Sequence, residues 1–301
     1  RFVADDQLAE ATRGRLAEAF LSAVPDLGFN ADIEIAEEHV ARIGLPAVGP
    51  LRDRLDAERP APVRAQAARI LGNLGLKLRP APGTMRQAMG QVTDLLRRLE
   101  ELSSDPRFPD RGVLFAALGK LAASPAASQE AGEVVSRNLL HAADHEPAPG
   151  VYGALEGLSW LAAARRAQPP FIASVLEIFR RSLAELKPEF TAQTREEEGG
   201  QVIEIESADD LLERLPVVLK GICRIACGSS CPPAFRQEIA RELAERWRKI
   251  AQGEIVWGPA NAMLVVETLR DLGCHKDLPH KVRMEILNAL ALRLVQPPVM
   301  Q

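Results

Sequence analysis

Five short segments of this chain repeat one pattern, in which apolar residues flank a variable central residue. They read LGNLG at 71–75, LGKLA at 118–122, LSWLA at 158–162, ICRIA at 222–226 and LRDLG at 269–273, and a shorter echo, VARIG, occupies 40–44. Counted from the first residue of each, successive copies are 31, 47, 40, 64 and 47 residues apart. Most of these spacings suit stacked helical repeats, whose units bury an apolar face against the next unit. We call the five longer copies the repeat segments.

The composition favours helices throughout. Apolar residues make up 47% of the 301 residues, but aromatic residues only 4%, so packing must depend on Ala, Leu, Val and Ile. Strands favour aromatic and β-branched residues, and the one β-like run is QVIEI at 201–205. We therefore predict an all-α fold, with residues 1–301 forming one elongated repeat domain.

Apolar periodicity and Pro or Gly punctuation place the helices in pairs. A helix that starts after Ser207 contains Pro216, which is expected to kink or restart it. The other predicted helices are about 6–24, 32–43, 45–55, 63–74, 84–102, 110–122, 126–143, 150–165, 171–186, 233–251, 258–272 and 280–295.

The 64-residue step is explained by an inserted connection at 187–207. A connection this long is unusual in a compact array and is either a tolerated insertion or a functional loop. Its acidic and glycine-rich part, 196–200, is typical of a solvated loop, whereas 202–205 is apolar enough to dock as an extended segment.

The segment 45–75 resembles a HEAT repeat. Its first helix opens near a proline and carries spaced leucines, Asp56 stands near its end, and the second helix begins with Val63-Arg64. The resemblance implies a right-handed α-solenoid whose second helices line a concave face. It also implies that an acid–arginine pair such as Asp56 and Arg64 joins adjacent repeats by hydrogen bonds. No other unit has a Val-Arg start with the acid before it.

The central residue of each repeat segment is turned about 130° from the middle of the apolar stripe, at ~100° per residue. If the second helices line the groove, these central residues form a row along it. The row consists of Asn73, Lys120, Trp160, Arg224 and Asp271. We expect it to bind a protein or peptide partner, with Trp160 either exposed there as a dominant contact or turned into the core.

Charge and cysteine content limit the partners and the compartment. The net charge of −4 and the sequence pI near 5.9 argue against a general nucleic-acid surface. No run reaches the roughly 18 apolar residues of a membrane span. Four cysteines in a chain of this length are no disulfide framework, which favours a reducing compartment, and a cytoplasmic location is expected.

Two groups of Cys or His residues have side chains that could bind a metal. Cys223, Cys227 and Cys231 are spaced four apart, with Cys274-His275 and His280 further on, but this is not the spacing of a zinc knuckle or ribbon. Cys223 also occupies the place held by Gly72, Gly119 and Ser159, which predicts a buried packing residue. His141 and His145 share a helix face without a separate third ligand. We expect no metal and no cofactor.

The leading hypothesis is a non-enzymatic scaffold, because no set of catalytic groups converges in the sequence. The alternative is a HEAT-like enzyme or accessory factor of the chromophore-lyase or nucleic-acid glycosylase type. Trp247 and Trp257, with Arg246, Arg248 and Lys249, would supply an aromatic and basic groove for the glycosylase type, although nearby acids dilute that charge.

Overall fold

A computed structural model of the chain describes residues 10–23, 39–105, 108, 110–185, 190–197, 200–207, 209–254 and 259–295. A helical stretch at 39–43 and a 3₁₀ turn, Leu45–Ala47, follow the first helix. The helices are α1 (Glu10–Ala23), α2 (Val48–Asp53), α3 (Ala61–Lys77), α4 (Met85–Ser103), α5 (Arg111–Ala122), α6 (Gln129–His145), α7 (Gly150–Ala163), α8 (Pro169–Glu185), α9 (Asp209–Cys227), α10 (Pro233–Ala251), α11 (Pro259–Gly273) and α12 (His280–Val295).

The all-α class is confirmed, with one addition. Within the described part, the insertion between α8 and α9 contains two antiparallel strands, β1 (Phe190–Glu197) and β2 (Gly200–Ser207), which pair from Phe190 with Ser207 to Glu197 with Gly200. The apolar run 201–205 therefore lies in a strand. Pro216 neither ends nor restarts α9, which is continuous through it.

The chain divides into two compact units, Arg1–Ala164 and Arg165–Gln301. We call them the N-terminal and C-terminal units and describe each by itself. The prediction of one uninterrupted domain stays a prediction.

In the N-terminal unit, α5 packs between α3 and α7, while α4 packs on α5 and α6 packs on α5 and α7. The position of each helix explains its sequence. α4 carries a buried stripe at helical spacing, from Ala88 through Val92, Leu95 and Leu99 to Leu102, and charged residues on its other side. By contrast, α5 is buried on nearly every side, so its sequence is apolar almost throughout. We call α3, α5 and α7 the inner helices of this unit, and α4 and α6 the outer helices.

Small residues set the spacing of the inner helices. A Cβ added to Gly72 would lie 2.9 Å from the Cα of Ala117, and one added to Gly119 would overlap the backbone of Gly157. Real Cβ atoms are not found this close to backbone, so glycine is required for these approaches. The prediction that this position of the repeat segments holds small residues for close packing is confirmed at both glycines.

The C-terminal unit has the same alternating arrangement. α9 packs on α11 and α10 packs on α12, while consecutive helices from α8 to α12 also contact one another. Trp247 of α10 is 2% exposed and belongs to this core. An arginine also joins successive helices in this unit. The buried guanidinium of Arg236, near the start of α10, donates to the carbonyl oxygens of Ala226, Gly228 and Cys231, at and just after the end of α9.

Candidate functional site

The central residue of every repeat segment is at least partly exposed, and in the first three segments it is the single residue that is not buried. In each of the first three segments four residues are buried, and only the central one, Asn73, Lys120 or Trp160, is partly exposed. In the fourth segment Arg224 is partly exposed together with its neighbour Cys223, and in the fifth Asp271 and Arg270 are exposed and Gly273 is partly exposed. The expectation that the central residue is turned away from the buried stripe therefore agrees with the first three segments, while in the last two other residues also reach the surface.

Asn73, Lys120 and Trp160 stand on the three neighbouring inner helices of the N-terminal unit. The stem of Lys120 lies beside α3, because a Cβ added to Gly72 would be 3.3 Å from the lysine Cδ. Its ammonium lies 2.7 Å from a carboxylate oxygen of Glu156 on α7, and the lysine side chain is only 13% exposed. Glu156 is one helical turn before Trp160. The three predicted residues therefore belong to one surface that crosses α3, α5 and α7.

Trp160 occupies a position between the two predicted for it. Its side chain is half-buried, and its indole nitrogen is covered. The ring is therefore neither a fully exposed contact nor a core residue like Trp247. Part of its apolar surface remains available to a ligand.

Arg224 and Asp271 lie on neighbouring helices of the C-terminal unit, α9 and α11. Asp271 accepts two hydrogen bonds from the guanidinium of Arg270, at 3.0 and 2.9 Å. These two residues share a unit with each other but not with the first three. A single row of five along the whole chain stays a prediction.

The thiols at the end of α9 form a small cluster. Cys223 and Cys227 hydrogen-bond with each other. This bond and burial both raise the pKa of Cys223, whereas at Cys227 the bond lowers the pKa and burial opposes that effect. Burial raises the pKa of Cys231, and the nearby guanidinium of Arg236 opposes that effect. Cys223 is half-buried, so the prediction that it is a buried packing residue was wrong, and the buried member of the cluster is Cys231.

Among the described residues, no group of three or more His, Cys, Asp or Glu side chains is placed so that it could hold a metal ion. The exposed rings of His141 and His145 stack with 4.2 Å between their centroids. His145 Nδ1 lies 2.9 Å from the carbonyl oxygen of His141. Trp247 is buried, which removes it from the proposed aromatic groove, and Trp257 lies outside the described residues.

The acid–arginine pairing implied by the HEAT resemblance is not formed by Asp56 and Arg64. Asp56 lies 3.9 Å from Arg98 of α4, and the guanidinium of Arg64 lies 4.9 Å from the centre of the Phe108 ring. Both residues face the helix pair that follows, but they contact different partners there.

Sequence reasoning missed the arginines that reach back to the preceding helix. Arg236 does so at α9, and Arg283 of α12 donates to the carbonyl oxygens of His275 and Lys276 after α11. The signal was present, because each arginine follows a proline by four residues and comes directly after Phe235 or Val282. Both repeat the spacing of Pro60 and Arg64 at the start of α3.

Comparison of the sequence with known protein families and with curated proteins yields no match. Within the described residues, none of the helices combines the length and apolar character that crossing a bilayer requires.

Proposed function

We propose that this protein is a non-enzymatic interaction scaffold whose repeats form a right-handed α-solenoid of the HEAT type. In each unit the second helices, α3, α5 and α7 in one and α9 and α11 in the other, are proposed to line a concave face that binds a protein or peptide. In the N-terminal unit the binding residues are Asn73, Lys120 and Trp160, and in the C-terminal unit they are Arg224 and Asp271. The observation that carries the proposal is the surface position of the central residue in every repeat segment.

The packing order supports the solenoid. In a stack of helix pairs, each helix contacts its own partner and the equivalent helix of the next pair. α3, α5 and α7 are related in this way, and so, in the other unit, are α9 and α11. The HEAT resemblance of 45–75 agrees with the same arrangement.

The partly exposed tryptophan supports binding. Interfaces depend on a few large side chains, with tryptophan over-represented among them, placed where water can be excluded. Trp160 is held in position by its buried part while its remaining surface faces outward, so a ligand would order it at little entropic cost. Asn73 and Lys120 supply polar groups within the same surface.

The test compares proteins captured from native lysate by the immobilised wild-type chain and by Trp160→Ala. We expect the variant to lose the principal captured protein while remaining folded, with a stability cost of about 1–3 kcal/mol, below the ~3–5 kcal/mol typical of a fully buried tryptophan. Met89→Ala is the matched control, since Met89 is an exposed apolar residue, 40% accessible, on the outer helix α4. Unchanged capture by a folded Trp160→Ala variant would remove this surface from the proposed function.

A further inference from the structure

Two cysteines of the C-terminal unit form a thiol pair for which the proposed function has no use. Cys223 and Cys227 are one helical turn apart, so their side chains lie on the same stripe of α9. Both residues are half-buried, and their thiols hydrogen-bond with each other. A small dissolved oxidant can therefore reach two sulfur atoms that are already neighbours.

The two thiols differ in how readily they ionise. The hydrogen bond to Cys227 and burial both raise the pKa of Cys223, so this thiol keeps its proton. The same bond lowers the pKa of Cys227, and the guanidinium of Arg236 acts in the same direction against burial and the carboxylate of Asp271. Because the thiolate is the nucleophile, Cys227 is the sulfur that reacts first with an oxidant, and Cys223 is the second thiol beside it.

The geometry points to a reversible oxidation site, at which a hydroperoxide such as hydrogen peroxide converts Cys223 and Cys227 into a disulfide. The Cys227 thiolate attacks one peroxide oxygen, the O–O bond breaks, and the other oxygen leaves as water after taking up a proton, so that Cys227 becomes a sulfenic acid. The Cys223 sulfur then loses its proton and attacks the Cys227 sulfur, and the sulfenic hydroxyl leaves with that proton as a second water. The two thiols are oxidised to one disulfide, and the peroxide is reduced to two waters. This inference does not rest on the proposed scaffold function.

The last turn of α9 allows this bond but strains it. Cα atoms four residues apart in a helix are separated by about 6 Å, which is inside the range that a disulfide spans. Their Cβ atoms are about 5–6 Å apart, whereas a disulfide needs about 3.5–4.5 Å, so the turn has to loosen. It can do so because α9 ends at Cys227. The hydrogen bonds from Arg236 to Ala226 and Gly228 resist that loosening, and a strained disulfide is readily reduced again.

The other two cysteines are placed less well to react with Cys227. Cys231 lies beyond the end of α9, is only 4% exposed, and its thiol donates to the carbonyl oxygen of Pro232 at 3.6 Å. Cys274 is exposed and follows a different helix, α11. Cys223 is therefore the expected partner in the disulfide.

The experiment treats the full chain with hydrogen peroxide, blocks the remaining thiols and digests the protein with trypsin without reduction. Trypsin cuts after Arg224 and so separates Cys223, in peptide 221–224, from Cys227, in peptide 225–236. We expect mass spectrometry to find these two peptides joined by a disulfide. Two of the four thiols should be lost in the undigested protein, and dithiothreitol should restore both.

Serine variants identify the sulfur atoms. Cys231→Ser should still form the linked peptides, because its thiol takes no part. Cys223→Ser should form none and should instead hold a sulfenic acid on Cys227, which dimedone traps. Cys274→Ser removes the exposed thiol and is the matched control, which should behave as the wild type does.

Three outcomes would overturn the inference. In the first, folded wild-type protein keeps all its thiols in peroxide. In the second, Cys227 goes on to sulfinic or sulfonic acid with no disulfide, which would show that Cys223 does not reach it. In the third, the link disappears in Cys231→Ser, which would assign the disulfide to Cys231. The scaffold proposal is independent of all three, since its test depends on capture by Trp160→Ala.

Discussion

Replacing Gly119 by alanine tests the closest helix contact in the N-terminal unit. Gly119 of α5 faces Gly157 of α7, and an added Cβ would overlap the Cα, carbonyl carbon and oxygen of that residue. All three atoms belong to the backbone, so no side-chain rotation can relieve the overlap. The two helices would have to separate, which would loosen the layer that carries Lys120 and Trp160.

The magnitude is the difference between two opposing effects. Alanine in a helix is favoured over glycine by about 1 kcal/mol. Adding volume to a well-packed core costs typically 1–3 kcal/mol, and a clash with backbone belongs at the upper end of that range. We therefore expect Gly119→Ala to lower the free energy of unfolding by roughly 1–2 kcal/mol.

Gly132→Ala provides the control with the opposite sign. Gly132 also lies within a helix, α6, but a Cβ there would meet no atom within 4 Å. The same change should therefore stabilise the protein by about 0.5–1 kcal/mol, since only helix propensity acts. Urea unfolding followed by circular dichroism gives both values. A Gly119→Ala variant as stable as Gly132→Ala would show that α5 and α7 do not approach as described.

Two further predictions concern the C-terminal unit. Arg236→Ala should lower the free energy of unfolding in urea by about 2–4 kcal/mol, because three carbonyl groups lose their donor. Arg241→Ala, which removes an exposed ion pair, should lower it by less than about 1 kcal/mol. Equal losses would contradict the role of Arg236. Cys227 should react with iodoacetamide faster than Cys223, because their hydrogen bond lowers the pKa of Cys227 and raises that of Cys223, so the thiolate fraction at neutral pH is larger at Cys227. Peptide mass spectrometry of a timed reaction checks this, and faster labelling of Cys223 would refute it.

Helix positions and surface residues were predictable because they depend on local rules. Pro233 can begin α10 since the first turn needs no backbone donor, and the predicted bounds of that helix match the structure. The central residue of a repeat segment points away from the apolar stripe whatever the neighbouring helix is. Periodicity alone therefore indicated that Asn73 and Lys120 are turned away from the buried stripe, whereas the half-buried position of Trp160 also depends on its neighbours.

Features that depend on two distant segments were not predictable in this way. The pairing of Lys120 with Glu156 joins residues 36 positions apart on different helices. β1 is another case, since its sequence, FTAQTREE, is polar and becomes a strand through its pairing with β2. The hydrogen bonds of Arg236 likewise depend on where α9 ends, which the spacing within α10 does not contain.

The charge of a repeat protein has to be counted by layer, since successive helices alternate between layers. The net charge of −4 describes the average over the whole chain, and it was the argument against a general nucleic-acid surface. Yet α4 and α6 carry six acids and four Lys or Arg residues, whereas α3, α5 and α7 carry five Lys or Arg residues and one acid, so the average describes neither layer. An interaction surface on the inner helices is therefore to be judged from the side chains of those helices and not from the net charge of the chain.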